Sequence, residues 1–409
     1  MTIPAFLRRA LLLFLLVCPV ASGQTDSLRF VLRGSVQDGE TGKPLSEVNV
    51  SLPGSNYATV TNAEGDFTIK SSFEPVSVTL SLLGYRTVTQ ALSGTPAGAL
   101  RIRMFKDALF LREAVLIGDP KTLLEKALEK IPENFPVVPE RFRCFYRETV
   151  QKRQRFIYIS EAVTDMYKTS YNEGVGRDRV LVAKSRLLIS PKTSDTLGVK
   201  VVGGPAQGVL LDLVKNRDDL FGSEVLALYK LELGDPVMMN GRPQYLLRMI
   251  PHGEDEWALH HVKAFIDMET LSFTRLDCSL DISNEAKATK TMLVRKPLGV
   301  RFRPREMSLR VDYAYDGSLS RISYVRTRFR FNCDWRKKLF RTAFTAVNEM
   351  VVTDRCAGEA RPIDRRESFR SNATLFDTAQ YYSDPDFWKD YNIIEPTTSL
   401  EHAIDRLKK

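Results

Sequence analysis

Alternation of apolar and polar positions dominates the chain, and its period of two predicts strands along most of the length. Between Phe30 and Met104, short alternating runs are separated by clusters of Gly, Asn, Asp and Pro. Phe30–Val36, Val48–Leu52, Tyr57–Thr61, Phe67–Ile69, Val76–Leu80, a run at Val88 and Leu100–Met104 read as strands. Asp38–Pro44, Pro53-Gly54 and Asn62–Gly65 read as turns. About seven strands at this spacing predict a β-sandwich over residues 28–118. In the Asn62-Ala63-Glu64-Gly65 turn, glycine is the residue that accepts a positive φ, which turns Phe67 toward the core.

The period changes at residue 119. Asp119-Pro120 is a helix start, and Leu123, Leu124, Ala127, Leu128 and Ile131 recur at helical spacing until Pro132 and Pro136 end the pattern. Residues 119–136 therefore read as a linker helix. The period of two returns over residues 137–355, in Arg143–Glu148, Phe156–Val163, Tyr245–Ile250, Val262–Asp267, Phe273–Leu280 and Arg321–Phe331. One helix is expected within this region, after Gly203-Gly204-Pro205, with Leu210, Leu213, Val214, Leu220 and Phe221 as its apolar stripe. Residues 356–409 form a polar, irregular segment, then an aromatic cluster at Phe387, Trp388 and Tyr391. A last helix follows, capped by Ser399, with Leu400, Ala403, Ile404 and Leu407 on the face that docks back on the body. The fold class is mainly β: a sandwich followed by a β-rich α+β domain.

Four stretches give the sandwich a family likeness. Gly34-Ser35-Val36, Gly42–Val50, Thr61–Phe67 and Leu82-Leu83-Gly84-Tyr85 resemble the carboxypeptidase-regulatory-like domain, a transthyretin-like sandwich common in Bacteroidota envelope proteins. The resemblance implies turns at the glycines and a core of the Val, Leu and Phe positions. It implies no peptidase activity, since that chemistry needs a set of histidine and carboxylate zinc ligands. Phe145–Glu148, Glu161-Ala162-Val163, Gly203-Gly204-Pro205, Ile266–Leu271 and Phe387–Ile394 are similar to a Bacteroidota family of exported proteins built on the same front module. The meander of long strands also resembles the curved half-barrel of periplasmic lipoprotein carriers.

Address and charge sharpen this picture. Arg8 and Arg9, the apolar run Ala10–Val20 and the small residues Ala21-Ser22-Gly23 have the layout of a secretory leader over residues 1–23, too short to span a bilayer. Its removal would lower the formal charge from +9 to +7. No other stretch reaches the length of a membrane-spanning helix. The expected location is the periplasm or the outer membrane. There Cys144, Cys278, Cys333 and Cys356 could pair as disulfides or stay as buried thiols, and Cys333 and Cys356 could lie on neighbouring strands.

Candidate chemistry is sparse. No G-x-S-x-G, H-E-x-x-H or P-loop pattern occurs. His260 and His261 would point to opposite faces of a strand and so cannot easily share an ion. No catalytic residue, metal site or cofactor is expected. The strongest signal is a cationic stripe: Arg326, Arg328 and Arg330 sit two apart and share one face, with Val325, Thr327, Phe329 and Phe331 on the other. Such a stripe suits cross-strand carboxylates or an anionic lipid or glycan of the envelope; nucleic acid is not expected for an exported protein. The sequence thus predicts a non-enzymatic envelope-associated binding protein. In it the sandwich is a docking module and the β-rich domain holds an apolar or anionic envelope ligand, with Arg326, Arg328 and Arg330 as candidate ligand-binding residues and an envelope protein as a further candidate partner. The alternatives are a structural adaptor, or a glycan hydrolase using carboxylates such as Glu254, Glu256, Asp267 and Glu269.

Overall fold

A computed structural model describes residues 28–94, 98–107, 118–192, 195, 200–201, 204–295, 298–335, 341–356, 358–370, 373, 375 and 387–408. The leader expected over residues 1–23 lies outside them. The front module has seven strands: β1 (Phe30–Asp38), β2 (Asn49–Ser51), β3 (Ala58–Val60), β4 (Asp66–Ser71), β5 (Ser77–Ser81), β6 (Val88–Ala91) and β7 (Leu100–Met104). They form a three-stranded sheet ordered β4-β1-β7 and a four-stranded sheet ordered β3-β2-β5-β6. Leu32, Val36, Val50, Phe67, Ile69, Val78 and Leu80 fill the space between. Gly65 has φ +81°, and a Cβ there would stand 2.5 Å from the Val36 carbonyl oxygen, so the turn before β4 needs glycine.

The chain then makes α1 (Pro120–Glu129), capped by the Asp119 carboxylate accepting from the Thr122 amide at 2.8 Å. Pro132 does not end the helical path. It occupies the second position of the short helix α2 (Ile131–Asn134), where a missing N–H costs nothing.

The body is one ten-stranded antiparallel sheet. Its strands are β8 (Glu140–Lys152), β9 (Arg155–Lys168), β10 (Arg179–Ile189), β12 (Tyr229–Met239), β13 (Arg242–Pro251), β14 (His260–Asp267), β15 (Phe273–Leu280), β17 (Val300–Tyr315), β18 (Ser320–Trp335) and β19 (Thr342–Arg355). Two short strands, β11 (Lys200–Val201) and β16 (Leu293–Arg295), pair apart from it. The order β10-β9-β8-β19-β18-β17-β15-β14-β13-β12 is a meander in which β19 returns to β8 and leaves β10 and β12 as edges. Val180 near one edge and Tyr229 at the other belong to the same apolar cluster, so the sheet curves strongly without closing.

The inner face of this sheet is filled by protein. Leu123, Leu124 and Ala127 of α1, with Ile131 and Phe135, pack there, as do Val209, Val214, Leu220 and Phe221. The last four come not from the single helix expected but from a broken path: α3 (Gln207–Leu210), α4 (Asp218–Phe221) and α5 (Ser223–Leu226). The expected stripe is interrupted over residues 211–217, where Leu213 and Val214 lie outside any helix, and Gly222 separates α4 from α5 with extended backbone. The Gly204 amide donates to the Tyr146 hydroxyl at 2.9 Å, which occupies the N–H group that an anion would need.

A buried polar knot pins this segment to the sheet. Lys168 Nζ lies 2.7 Å from Asp212 and 3.3 Å from Asp178, and Lys215 Nζ lies 2.6 Å from Asp178. Tyr171 and Tyr313 donate to Asp212 at 2.7 and 2.9 Å. Burial raises the Asp212 carboxyl, but Lys168 and the two phenols outweigh that and hold it below the usual range.

On the outer face, Arg147, Glu161 and Arg186 stand side by side across β8, β9 and β10. Arg147 Nε donates to Glu161 Oε1 at 2.7 Å, and Arg186 donates to Oε2. The C-terminal segment covers them: Trp388 Nε1 donates to Glu161 at 3.1 Å, and the Ile394 carbonyl accepts from Arg147 at 2.8 Å. Beyond it, α6 (Glu285–Met292) lies beside β17, and α7 (Thr398–Lys408) packs Leu400, Ala403 and Ile404 against Ile159 and Leu188. The docking face is the one expected, but the helix starts one residue before Ser399, and Thr397 Oγ1 accepts from the Leu400 amide.

Burial alone would raise the Glu161 carboxyl, and the two guanidiniums overcome this and hold it below its ordinary 4.5. A depressed carboxyl stabilises the fold at pH values above the unfolded pKa and loses that contribution as pH falls through the folded one. Glu161→Gln should therefore lower unfolding free energy by about 3 kcal/mol at pH 7, because two buried guanidiniums lose their counter-charge. In chemical denaturation the gap between the variant and the parent should shrink below pH 4.5; a gap under about 0.5 kcal/mol at pH 7 refutes this account.

Candidate functional site

Residues alternate along β2 and β5, so Val50, Val78 and Leu80 enter the sandwich core while Asn49, Ser51, Thr79 and Ser81 face outward. That polar surface confronts the outer face of the large sheet. Between them lies a cleft of about 620 Å³. From the sheet side it is lined by Gln244, Ser272, Thr274 and Ser320, with Arg242, Asp267, Arg275 and Asp312 beneath.

The charged groups of the cleft are paired. Arg242 grips Asp267 with two hydrogen bonds of 2.7 Å, and Arg275 grips Asp312 at 2.5 and 3.1 Å. Burial pushes Asp267 up, but Arg242 and the Thr270 amide prevail and keep it low. At Asp312 burial prevails and raises the carboxyl despite Arg275. Gln244 accepts from Thr274 at 2.9 Å, and Ser272 bonds Ser320 at 2.8 Å. Asn49 Oδ1 is shielded from solvent and has no hydrogen-bond partner. The arrangement offers amides, hydroxyls and neutralised ion pairs, and no carboxylate in it stands without a cation beside it: Glu47, Asp267, Asp312 and Asp316 each contact an arginine.

Glu47 closes one end of the cleft and joins the two modules. It takes the left-handed conformation, φ +59°, and its side chain reaches across to β17 and β18. Arg326 Nη1 lies 2.6 Å from Oε1, and Arg310 bonds Oε2. Arg326 also faces Glu349 at 3.8 Å. Arg328 and Arg330 share Glu306 at 3.7 and 3.4 Å. The expected alternation holds: the three arginines share the outer face, and Val325, Thr327, Phe329 and Phe331 are buried on the inner one. The structure separates the three, however, placing Arg326 under the sandwich and leaving Arg330 more than half exposed.

The remaining sequence candidates are dispersed. His260 and His261 do point to opposite faces; burial lowers the His260 imidazole to about 4. Glu254, Glu256 and Glu269 are exposed and pair with Lys287, Lys290 and Arg242. All four described cysteines are free thiols. Cys333 and Cys356 do not meet: Cys333 pairs with Thr342 at the start of β19, whereas the Cys356 amide donates to Arg141 beyond its far end. Glu161 enters the sequence analysis only within the Glu161-Ala162-Val163 likeness, although a lone carboxylate inside Phe156–Val163 is the signal of a buried, paired charge.

A family model for the CarboxypepD_reg-like domain matches residues 32–116, which confirms the front module. No curated protein matches the chain. Among solved structures, MucB in complex with MucA(peri) is similar over 60% of this chain and 100% of its own, at 14% identity and a TM-score of 0.17. A LolA superfamily protein from Nitrosomonas europaea is similar over 62% and 99%, at 12% identity and a TM-score of 0.20. A DUF1329 family protein from Desulfovibrio piger covers 57% and 93%, at 12% identity and a TM-score of 0.23. Likenesses at such scores carry no argument about function.

The Glu47 bridge can be tested directly. Glu47→Ala should cost about 2 kcal/mol of stability, since two partly buried guanidiniums lose a shared carboxylate. A double-mutant cycle with Arg326→Gln should give a coupling of at least about 1 kcal/mol; additive effects refute a direct bridge.

Proposed function

We propose that this chain is a non-catalytic binding protein of the bacterial envelope, and that its ligand site is the cleft between sandwich and sheet. The carrying observation is the cleft itself: about 620 Å³, within the range of small-ligand sites, with a lining rich in hydroxyls and amides. Its charges are already neutralised, so a neutral, hydroxyl-rich ligand such as a glycan fits better than a bare anion. Asn49 lines the cleft from the sandwich side. The absence of catalysis is part of the proposal and is supported at Asp267, which Arg242 grips with two hydrogen bonds and holds low. Export is supported by the leader pattern of residues 1–23. Among the described residues no helix is long and apolar enough to cross a membrane.

An anionic ligand on Arg328 and Arg330 is a second proposal. Two guanidiniums share one carboxylate there, and Arg328 Nε is shielded yet makes no hydrogen bond. Replacement of both by Gln should abolish salt-sensitive anion binding if this reading holds.

Neutral and acidic envelope oligosaccharides, titrated calorimetrically against the full chain, test the main reading. The neutral ones should bind. Ser81→Trp, which fills the cleft from the sandwich side, should weaken binding by at least about tenfold, and Asn49→Leu by about the same. Undiminished binding in both variants, or hydrolysis of the bound glycan, overturns it.

A further inference from the structure

The buried knot behind the inner path contains one ion pair whose surroundings suit a covalent bond. Asp178 stands just before β10, and Lys215 lies in the irregular stretch between α3 and α4. Both side chains are wholly out of water. Lys215 Nζ lies 2.6 Å from Asp178 Oδ1, so the nitrogen is one atom away from the carboxyl carbon. The Tyr171 ring centroid is 5.7 Å from Lys215 Nζ and 5.6 Å from Lys168 Nζ, and Phe135 stacks on Tyr171 at 4.8 Å. An ion pair in such a place bears the desolvation cost of two charges. A neutral amide between the same two residues bears neither.

The two oxygens of Asp178 are held unequally. Oδ1 accepts from the Thr169 amide at 2.8 Å and from the Thr169 hydroxyl at 3.0 Å. Fixed donors of this kind stabilise an oxygen that gains charge when its carboxyl carbon is attacked. Oδ2 faces the Lys168 ammonium at 3.3 Å. Lys215 Nζ also donates to the Thr169 carbonyl at 2.7 Å. An amide formed here would keep its N–H on the Thr169 carbonyl and its oxygen on the Thr169 amide. The atom to be lost is Oδ2, the one with a proton donor beside it.

The two lysines are unequal as well. Burial and the Lys168 charge lower the Lys215 amine from its ordinary 10.5, against the pull of Asp178 and Asp212. A desolvated lysine beside a second cation is an activated nucleophile. Burial acts on Lys168 too, but Asp212 and Asp178 overcome it and keep that group an ammonium.

We propose that Lys215 and Asp178 condense into an intramolecular amide cross-link. The Lys215 Nζ lone pair forms the bond to Asp178 Cγ. The Cγ–Oδ2 bond breaks, and its electron pair stays on the oxygen. Counted from the ion pair, one Nζ proton remains on the amide and two leave on Oδ2 as water. Lys168 relays a proton and ends protonated, as it began. Nothing is oxidised or reduced, and no co-reactant is consumed. The link ties the α3–α5 path to the β9–β10 hairpin and does not depend on what the cleft holds.

Mass spectrometry of the purified full chain tests this. The parent should be lighter than its sequence requires by the mass of one water. Tryptic digestion should yield a branched peptide: residues 201–217, uncleaved at Lys215, carrying Asp178-Arg179 on that side chain. Lys215→Arg keeps the charge and the donors but cannot close the amide, so it should have full mass and no branched peptide. Asp178→Ala should behave in the same way. A parent chain of full mass overturns the proposal and leaves an ion pair. So does a missing water that Lys215→Arg also lacks, because that water was lost elsewhere.

Discussion

Everything on the outer face of the large sheet depends on keeping two guanidiniums paired out of water. Arg147 and Arg186 flank Glu161, and none of the three could stay buried without the others. The triad carries one excess positive charge, which the Ile394 carbonyl on Arg147 offsets, while the Trp388 indole N–H donates to the carboxylate. The Trp388 ring also faces the Arg186 guanidinium at 5.2 Å. Residues 387–396 are thereby ordered against β8, β9 and β10.

The same segment then fixes the sandwich. Lys70 Nζ donates to the carbonyls of Trp388, Lys389 and Tyr391, and its backbone exchanges hydrogen bonds with the Asn392 side chain. Thr59 donates to Ile393 and Asn62 to Pro396. Val60, Phe145, Val163, Tyr324, Val351, Trp388 and Ile394 form a shared apolar cluster from sandwich, sheet and C-terminal segment. The modules meet at this wedge, at the Glu47 bridge and through further hydrogen bonds, the Gly84 amide to the Met238 carbonyl at 2.7 Å and the Asn56 side-chain amide to the Arg355 carbonyl at 3.4 Å, and the cleft is the space left between these joints.

The inner face follows a different rule. In the half-barrel that the sequence resembles, the concave side encloses a cavity. Here the concave side is packed by α1, α2 and the broken path of α3–α5, and the Lys168–Asp178–Asp212–Lys215 knot holds that path in place. A curved sheet is therefore present, but its concavity is spent on the protein's own core. The cleft lies on the convex side, between the sheet and the outward-facing polar residues of β2 and β5.

The seven sandwich strands, the long strands of the body, the α1 start at Asp119-Pro120, the glycine turn at Gly65 and the opposite facing of His260 and His261 were all legible from periodicity and turn chemistry. Each depends on neighbours within a few residues. The arginine stripe of β18 was legible as a stripe, but its partners were not, since Glu47 lies 279 residues from Arg326 along the chain. The interruption over residues 211–217 was hidden because a buried helix and a buried irregular path share the same apolar spacing. The cleft, and which cations pair with Glu161, were decided by tertiary structure alone. Sequence period dictates which face a side chain takes, but what that face meets is set by contacts between segments hundreds of residues apart.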